Sequence, residues 1–170
     1  MNLLKGFVGT ALVVVSLMGA GCTVTTSVST GGLGAEELHF ATKEGGPEVS
    51  DKKFKKGEVV WMEFKVTGFK QADDDNVWVQ EDIDVTGPDG KSVLKKENLL
   101  DLHQKAPKGA NNVSASNNIT LPKGSPVGAY NVKISLRDKV GGGSSTVNTA
   151  FEVTDGGAAP APEGGSPAPK

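Results

Sequence analysis

Three stretches of the chain alternate apolar and polar residues with a period of two. Residues 58–66, EVVWMEFKV, place Val60, Met62, Phe64 and Val66 on one face and Glu63 and Lys65 on the other. Residues 129–138, AYNVKISLRD, do the same, with Tyr130, Val132, Ile134 and Leu136 against Asn131, Lys133, Ser135 and Arg137. In residues 145–153, STVNTAFEV, the apolar set is Val147, Phe151 and Val153. A strand turns successive side chains to opposite faces, so each stretch predicts a half-buried β-strand. Further strands are expected at Glu37–Thr42, Val77–Thr86, Ser92–Lys95 and Val113–Leu121.

The connections agree with this reading. KVGGGS joins the last two strands as a glycine-rich hairpin, which makes them antiparallel neighbours. GPDG at 87–90 is a tight turn. One segment is ambiguous: KKENLLDLHQKA (95–106) spaces Leu99, Leu100 and His103 to share a helical face for a turn or two, and is read as loop or strand. About seven strands without βαβ alternation or a long helix predict an all-β fold, a single antiparallel β-sandwich.

Composition narrows the folded part. The chain has 170 residues, 36% of them hydrophobic, with 23 glycines and 9 prolines, so part of it is linker or turn. Residues 23–35, TVTTSVSTGGLGA, are small and uncharged and read as a flexible tether. Residues 155–170 alternate alanine with proline and contain no large apolar side chain, the composition of a disordered tail. The expected division is 1–21 signal, 22–35 tether, 36–154 sandwich and 155–170 tail. Net charge is −2 and Arg137 is the one arginine, so no basic surface for nucleic acid is present.

LPKGSPVGAYNVKISLRDKV followed by TVNTAFEV is similar to the last two strands of bacterial immunoglobulin-like or fibronectin-type domains. The resemblance implies an immunoglobulin-like sandwich with Tyr130 as its corner tyrosine, and implies no activity. At the other end, Lys5, the apolar run from Phe7 to Met18 and the small residues Gly19, Ala20 and Gly21 before Cys22 have the parts of an export signal. The small residues ahead of the sole cysteine resemble the lipobox of bacterial lipoproteins, with Gly19 where that family usually has leucine. This resemblance implies diacylation of Cys22 and anchorage on a membrane of the cell envelope. Thr23 after it, in place of the aspartate that retains such proteins at the inner membrane, implies the outer membrane.

Candidate chemistry is sparse. ADDDN (72–76) gathers Asp73, Asp74 and Asp75, with Glu81, Asp82 and Asp84 on the next strand, as hard oxygen donors for calcium. The spacing does not match an EF-hand loop, and a solvated loop is the competing reading. His39, His103 and Met62 are the donors a copper carrier would use, although Met62 belongs to a core-facing set, His39 reads as a strand-face residue and His103 as a loop residue. No nucleophile elbow, zinc motif or phosphate loop occurs, so no catalytic residue and no cofactor is expected. Trp61 and Trp78 fall on the polar faces of their strands, where they either hold a partner protein or glycan or lie under a covering layer. The expectation is therefore a lipid-anchored, non-catalytic structural or protein-binding module. A divalent-metal site, or a domain accessory to an envelope enzyme, is the alternative.

Overall fold

Alternation of side chains becomes a two-layer structure in the computed structural model, which describes residues 25–155. Nine strands form and, among the described residues, no helix: β1 (Thr26–Thr30), β2 (Gly34–Ala41), β3 (Lys53–Lys55), β4 (Val59–Thr67), β5 (Asn76–Thr86), β6 (Ser92–Lys105), β7 (Asn112–Thr120), β8 (Gly128–Asp138) and β9 (Ser144–Thr154). The larger sheet runs β1-β9-β8-β5-β6, with β3 also on β9, and the smaller runs β2-β4-β7. All pairings are antiparallel except β3 with β9. The chain is thus an immunoglobulin-like β-sandwich, with two strands more than the sequence pattern marks.

The expected inward sets of β4 and β8 are buried, as are Val147, Phe151 and Val153 of β9. Phe40, Phe54 and Phe151 meet edge to face with centroids 5.6–6.3 Å apart, and Tyr130 stacks on Phe151 at 5.4 Å. Such aromatic pairs contribute about 0.5–1.5 kcal/mol each beyond the area they bury. Tyr130 also donates its hydroxyl to the carbonyl of Pro126 at 2.9 Å, the bond of a corner tyrosine, which pins the β7–β8 crossover onto the core.

Three expectations change. Residues 26–35, read as tether, form β1 and the start of β2, because Thr26–Thr30 pair with Ser144–Asn148 and complete the edge of β9. Their uncharged threonines and serines suit an edge strand as well as a spacer. The segment 95–106 is strand up to Lys105, so His103 is a strand residue. The hairpin through GPDG draws it onto β5, whose apolar face it extends. Lys53–Lys55 pair with Glu152–Thr154 and carry Phe54 into the core, a strand too short to register as alternation. The signal segment 1–21, Cys22 and residues 156–170 of the tail lie outside the described residues.

Two polar side chains hold the crossovers. Gln71 donates to the carbonyls of Ala106 and Pro107 at 2.8 and 3.0 Å and accepts from the amide of Gly109 at 3.0 Å. Asp138, buried at the end of β8, accepts from the amides of Lys70 and Val140 at 2.8 and 2.9 Å. Both satisfy loop backbone that has no ladder partner. At Gly68 (φ 68°) a Cβ would sit 1.9 Å from the carbonyl oxygen of Gly32, so the β1–β2 turn closes onto a residue that must be glycine.

Tyr130→Phe keeps the ring packing and removes only the bond to Pro126. A loss of about 1 kcal/mol in denaturant-unfolding free energy is expected, and an unchanged midpoint would show that this bond does not hold the crossover.

Candidate functional site

On the β1 side, the turn from β1 to β2 runs from one sheet to the other, and Leu33 is fully buried within it. On the opposite side, β6 ends the larger sheet and β7 ends the smaller, and among the described residues no strand pairs with the free edge of either. Between them lies a cleft of about 700 Å³, within the ~300–1,000 Å³ range of ligand sites. Its apolar lining comes from Leu94, Leu99, Leu100, Ile119, Leu121 and Tyr130, and Val93 at its lip is 50% exposed.

A bulge shapes this lining. The β5–β6 register shifts between Glu81 and Ile83, opposite Leu100 and Lys96, and Asn98 takes a positive φ of 50°. Strict alternation is broken there, so the consecutive residues Leu99 and Leu100 are both half-buried and both line the cleft. The bulge is fastened from the outer face. Asp82 accepts from the amide of Asn98 at 2.8 Å and forms a two-pronged pair with Arg137, which also bonds the Asn98 side chain at 3.0 Å. The hydrogen bond from Arg137 holds the Asp82 carboxyl below the usual carboxylate range.

Behind the cleft lining the two sheets meet through one polar contact. Asn117 of β7, which lines the cleft, donates to both carboxylate oxygens of Glu81 on β5 at 2.6 and 2.7 Å. Glu81 is fully buried, and no cation pairs with it among the described residues. Burial pushes its carboxyl up to about 7, the bond from Asn117 opposes that rise, and the charge of Asp82 adds to it.

Other candidate residues are scattered. Asp74 is turned onto Asn76, whose backbone amide holds its carboxyl low, and Asp75 sits in a left-handed turn with φ 65°. Asp73, Asp74 and Asp75 are therefore not gathered, and among the described residues no group of three acidic, histidine or cysteine side chains is placed to hold a metal. His39 is on β2, bonded to the carbonyl of Glu37 at 3.0 Å and 3.5 Å from Glu63, whereas His103 is on β6 and Met62 is fully buried. Trp61 and Trp78 point from the outer faces of opposite sheets and cannot share one surface. Trp78 is half-covered by its own sheet: it stacks on His103 at 4.9 Å and donates to Asp101 at 2.7 Å.

Glu81 was visible in sequence as part of the acidic run 81–84, but its parity with Val77, Val79, Ile83 and Val85 is the signal that places it inside. Asn117 carries the same signal, between Ala115 and Ile119.

This arrangement defines an all-β, immunoglobulin-like domain with one open side. No family model matches the chain, and no curated protein matches it. Solved structures of similar fold include a Niemann-Pick type C2 protein from Japanese carpenter ant, 10% identical with a TM-score of 0.44, over 71% of this chain and 91% of that one. The C-terminal domain of wzt is 14% identical with a TM-score of 0.49, over 76% and 78%. The PmoD soluble domain of a Methylocystis species is 12% identical with a TM-score of 0.38, over 82% and 96%. The likeness is of fold alone.

The raised carboxyl gives a stability signature. Folded Glu81 holds its proton up to about pH 7, while the unfolded chain releases it near the ordinary glutamate value of 4.5. The native state thus binds the extra proton between those values, and its stability falls as pH rises through that window. Relative to Glu81→Gln, wild type should lose on the order of 3 kcal/mol between pH 4.5 and 7. Parallel stability curves for the two proteins would show that Glu81 ionises normally.

Proposed function

We propose that this chain is a lipid-anchored protein of the bacterial cell envelope, held by acylated Cys22 on the outer membrane, whose sandwich is a non-catalytic module that binds an envelope partner through the β6–β7 side. The observation that carries the binding side is the apolar cleft of about 700 Å³ between two unpaired strand edges. Asn117 in its lining is turned inward and bonded to the buried Glu81 behind it, an arrangement suited to shaping a surface rather than to turning over a substrate.

Anchorage and binding fall on opposite sides in this reading. The chain enters the domain at β1, and β6 lies four strands away across the larger sheet, roughly 19 Å at about 4.8 Å per step. A lipid on Cys22 therefore leaves the cleft unobstructed. Two or more acyl chains, each contributing about 0.8 kcal/mol per buried methylene, are enough for stable anchoring.

Palmitate labelling and membrane fractionation of wild type against Cys22→Ala test this reading. Label and membrane residence are expected in wild type and lost in the variant. A variant that stays in the membrane fraction, beside a wild type that takes up no label, overturns the anchor.

A further inference from the structure

Natural sheets blunt their open edges with charge, proline or a bulge, because an unblunted edge is a template for another strand. The edge strand β6 carries Lys95, Lys96, Glu97, Asp101 and Lys105 and is interrupted by the bulge at Asn98. The edge strand β7 has none of these devices. Its sequence, NVSASNNIT, contains no charged residue, no proline and no glycine, and it runs nine residues beside β4 without a register shift.

We propose that β7 is the interface through which a second copy of this chain binds, strand to strand and antiparallel, about a two-fold axis at Ser116. The inference rests on the reading of the β6–β7 side as the binding side and names its partner.

Backbone direction fits this pairing. Leu121 donates to the carbonyl of Glu58 at 2.9 Å, which continues the β4–β7 ladder. By alternation the amides of residues 113, 115, 117 and 119 face β4, and those of Ser114, Ser116, Asn118 and the two end residues face outward. A two-fold axis at Ser116 then sets Ser116 opposite its own copy, Ser114 opposite Asn118, Asn112 opposite Thr120 and Val113 opposite Ile119. Each polar residue on the outer face of β7 meets a polar one, Val113 meets Ile119, Ala115 falls opposite Asn117, and no like charges are brought together within the strand pair.

Among the described residues, Glu44, bonded to the Ser116 hydroxyl at 3.1 Å, is the one carboxylate hydrogen-bonded to β7 on its outer face. The axis also brings the two clefts together, so the half-exposed leucines of each β6 come to one apolar interface. The C-terminal segment is a poor rival for this edge, since Pro160, Pro162, Pro167 and Pro169 lack the N–H that a ladder needs. Anchored copies share a plane, which raises their effective concentration.

Cysteine scanning in the membrane-anchored full chain tests the register. Residues facing each other in a hydrogen-bonded antiparallel pair lie about 5.5 Å apart between Cα atoms, within disulfide reach. Under mild oxidation Ser116→Cys should shift most of the chain to a disulfide-linked dimer. Ser114→Cys should stay monomeric, and the double variant Ser114→Cys with Asn118→Cys should crosslink. Thr146→Cys, on the outer face of the larger sheet, measures random collision, and wild type measures any background from Cys22. Sedimentation of the detergent-solubilised chain should show a dimer that Ser116→Lys converts to monomer. Crosslinking of Ser116→Cys no greater than that of Thr146→Cys, or equal crosslinking at 114 and 116, overturns the pairing. If Ser116→Cys fails while Cys22→Ala still leaves the membrane, the second-copy interface falls and the anchored module stands.

Discussion

The larger sheet carries six strands and the smaller three, so their edges cannot match on both sides. On the side of β9 the difference is absorbed: β1 and β3 occupy successive halves of its outer edge, Phe54 and Leu33 fill the space behind them, and the backbone of Gly32 presses onto Gly68. On the side of β6 and β7 nothing among the described residues plays that part. The apolar cleft, the bulge that turns two leucines into it and the unpaired edge of β7 all follow from that asymmetry.

Where the layers meet behind the cleft, the core is not wholly apolar. A buried carboxyl with no cation costs stability unless it keeps its proton, and Glu81 takes that course, with Asn117 as its companion across the layers. A leucine in place of Glu81 would be the simpler core residue. Retaining an acid there makes the contact between the sheets sensitive to the proton near neutrality, on the side where the sandwich is open.

Much of the architecture was legible in the chain because one physical rule, the period of two, governs β4, β5, β8 and β9 alike. The strands it missed are the ones that rule cannot reach. Thr26–Thr30 has a single large apolar residue, the exposed Val28, among threonines and serines, and Lys53–Lys55 is too short to show a period. In β6 the doubled Leu99–Leu100 mimics a helical spacing because a bulge has broken the alternation. The site was less legible for a different reason. Glu81 belongs by composition to an acidic run and by parity to the core, and composition is the louder signal. The tryptophans were conspicuous for the opposite reason, yet Trp78 spends its ring and its N–H on His103 and Asp101 of the neighbouring strand.

That one side of the sandwich is left open for a partner is the claim on which the functional account stands. Residue-resolved amide hydrogen exchange along β7, followed by NMR as protein concentration is raised, addresses it directly. The amides of Val113, Ala115, Asn117 and Ile119, which face β4, should be protected throughout. Those of Ser114, Ser116 and Asn118 should exchange freely in dilute solution and become protected as copies associate. Protection of the second set already at the lowest concentration would mean that the chain covers its own edge, and free exchange at every concentration would mean that no copy binds there; either result contradicts the account.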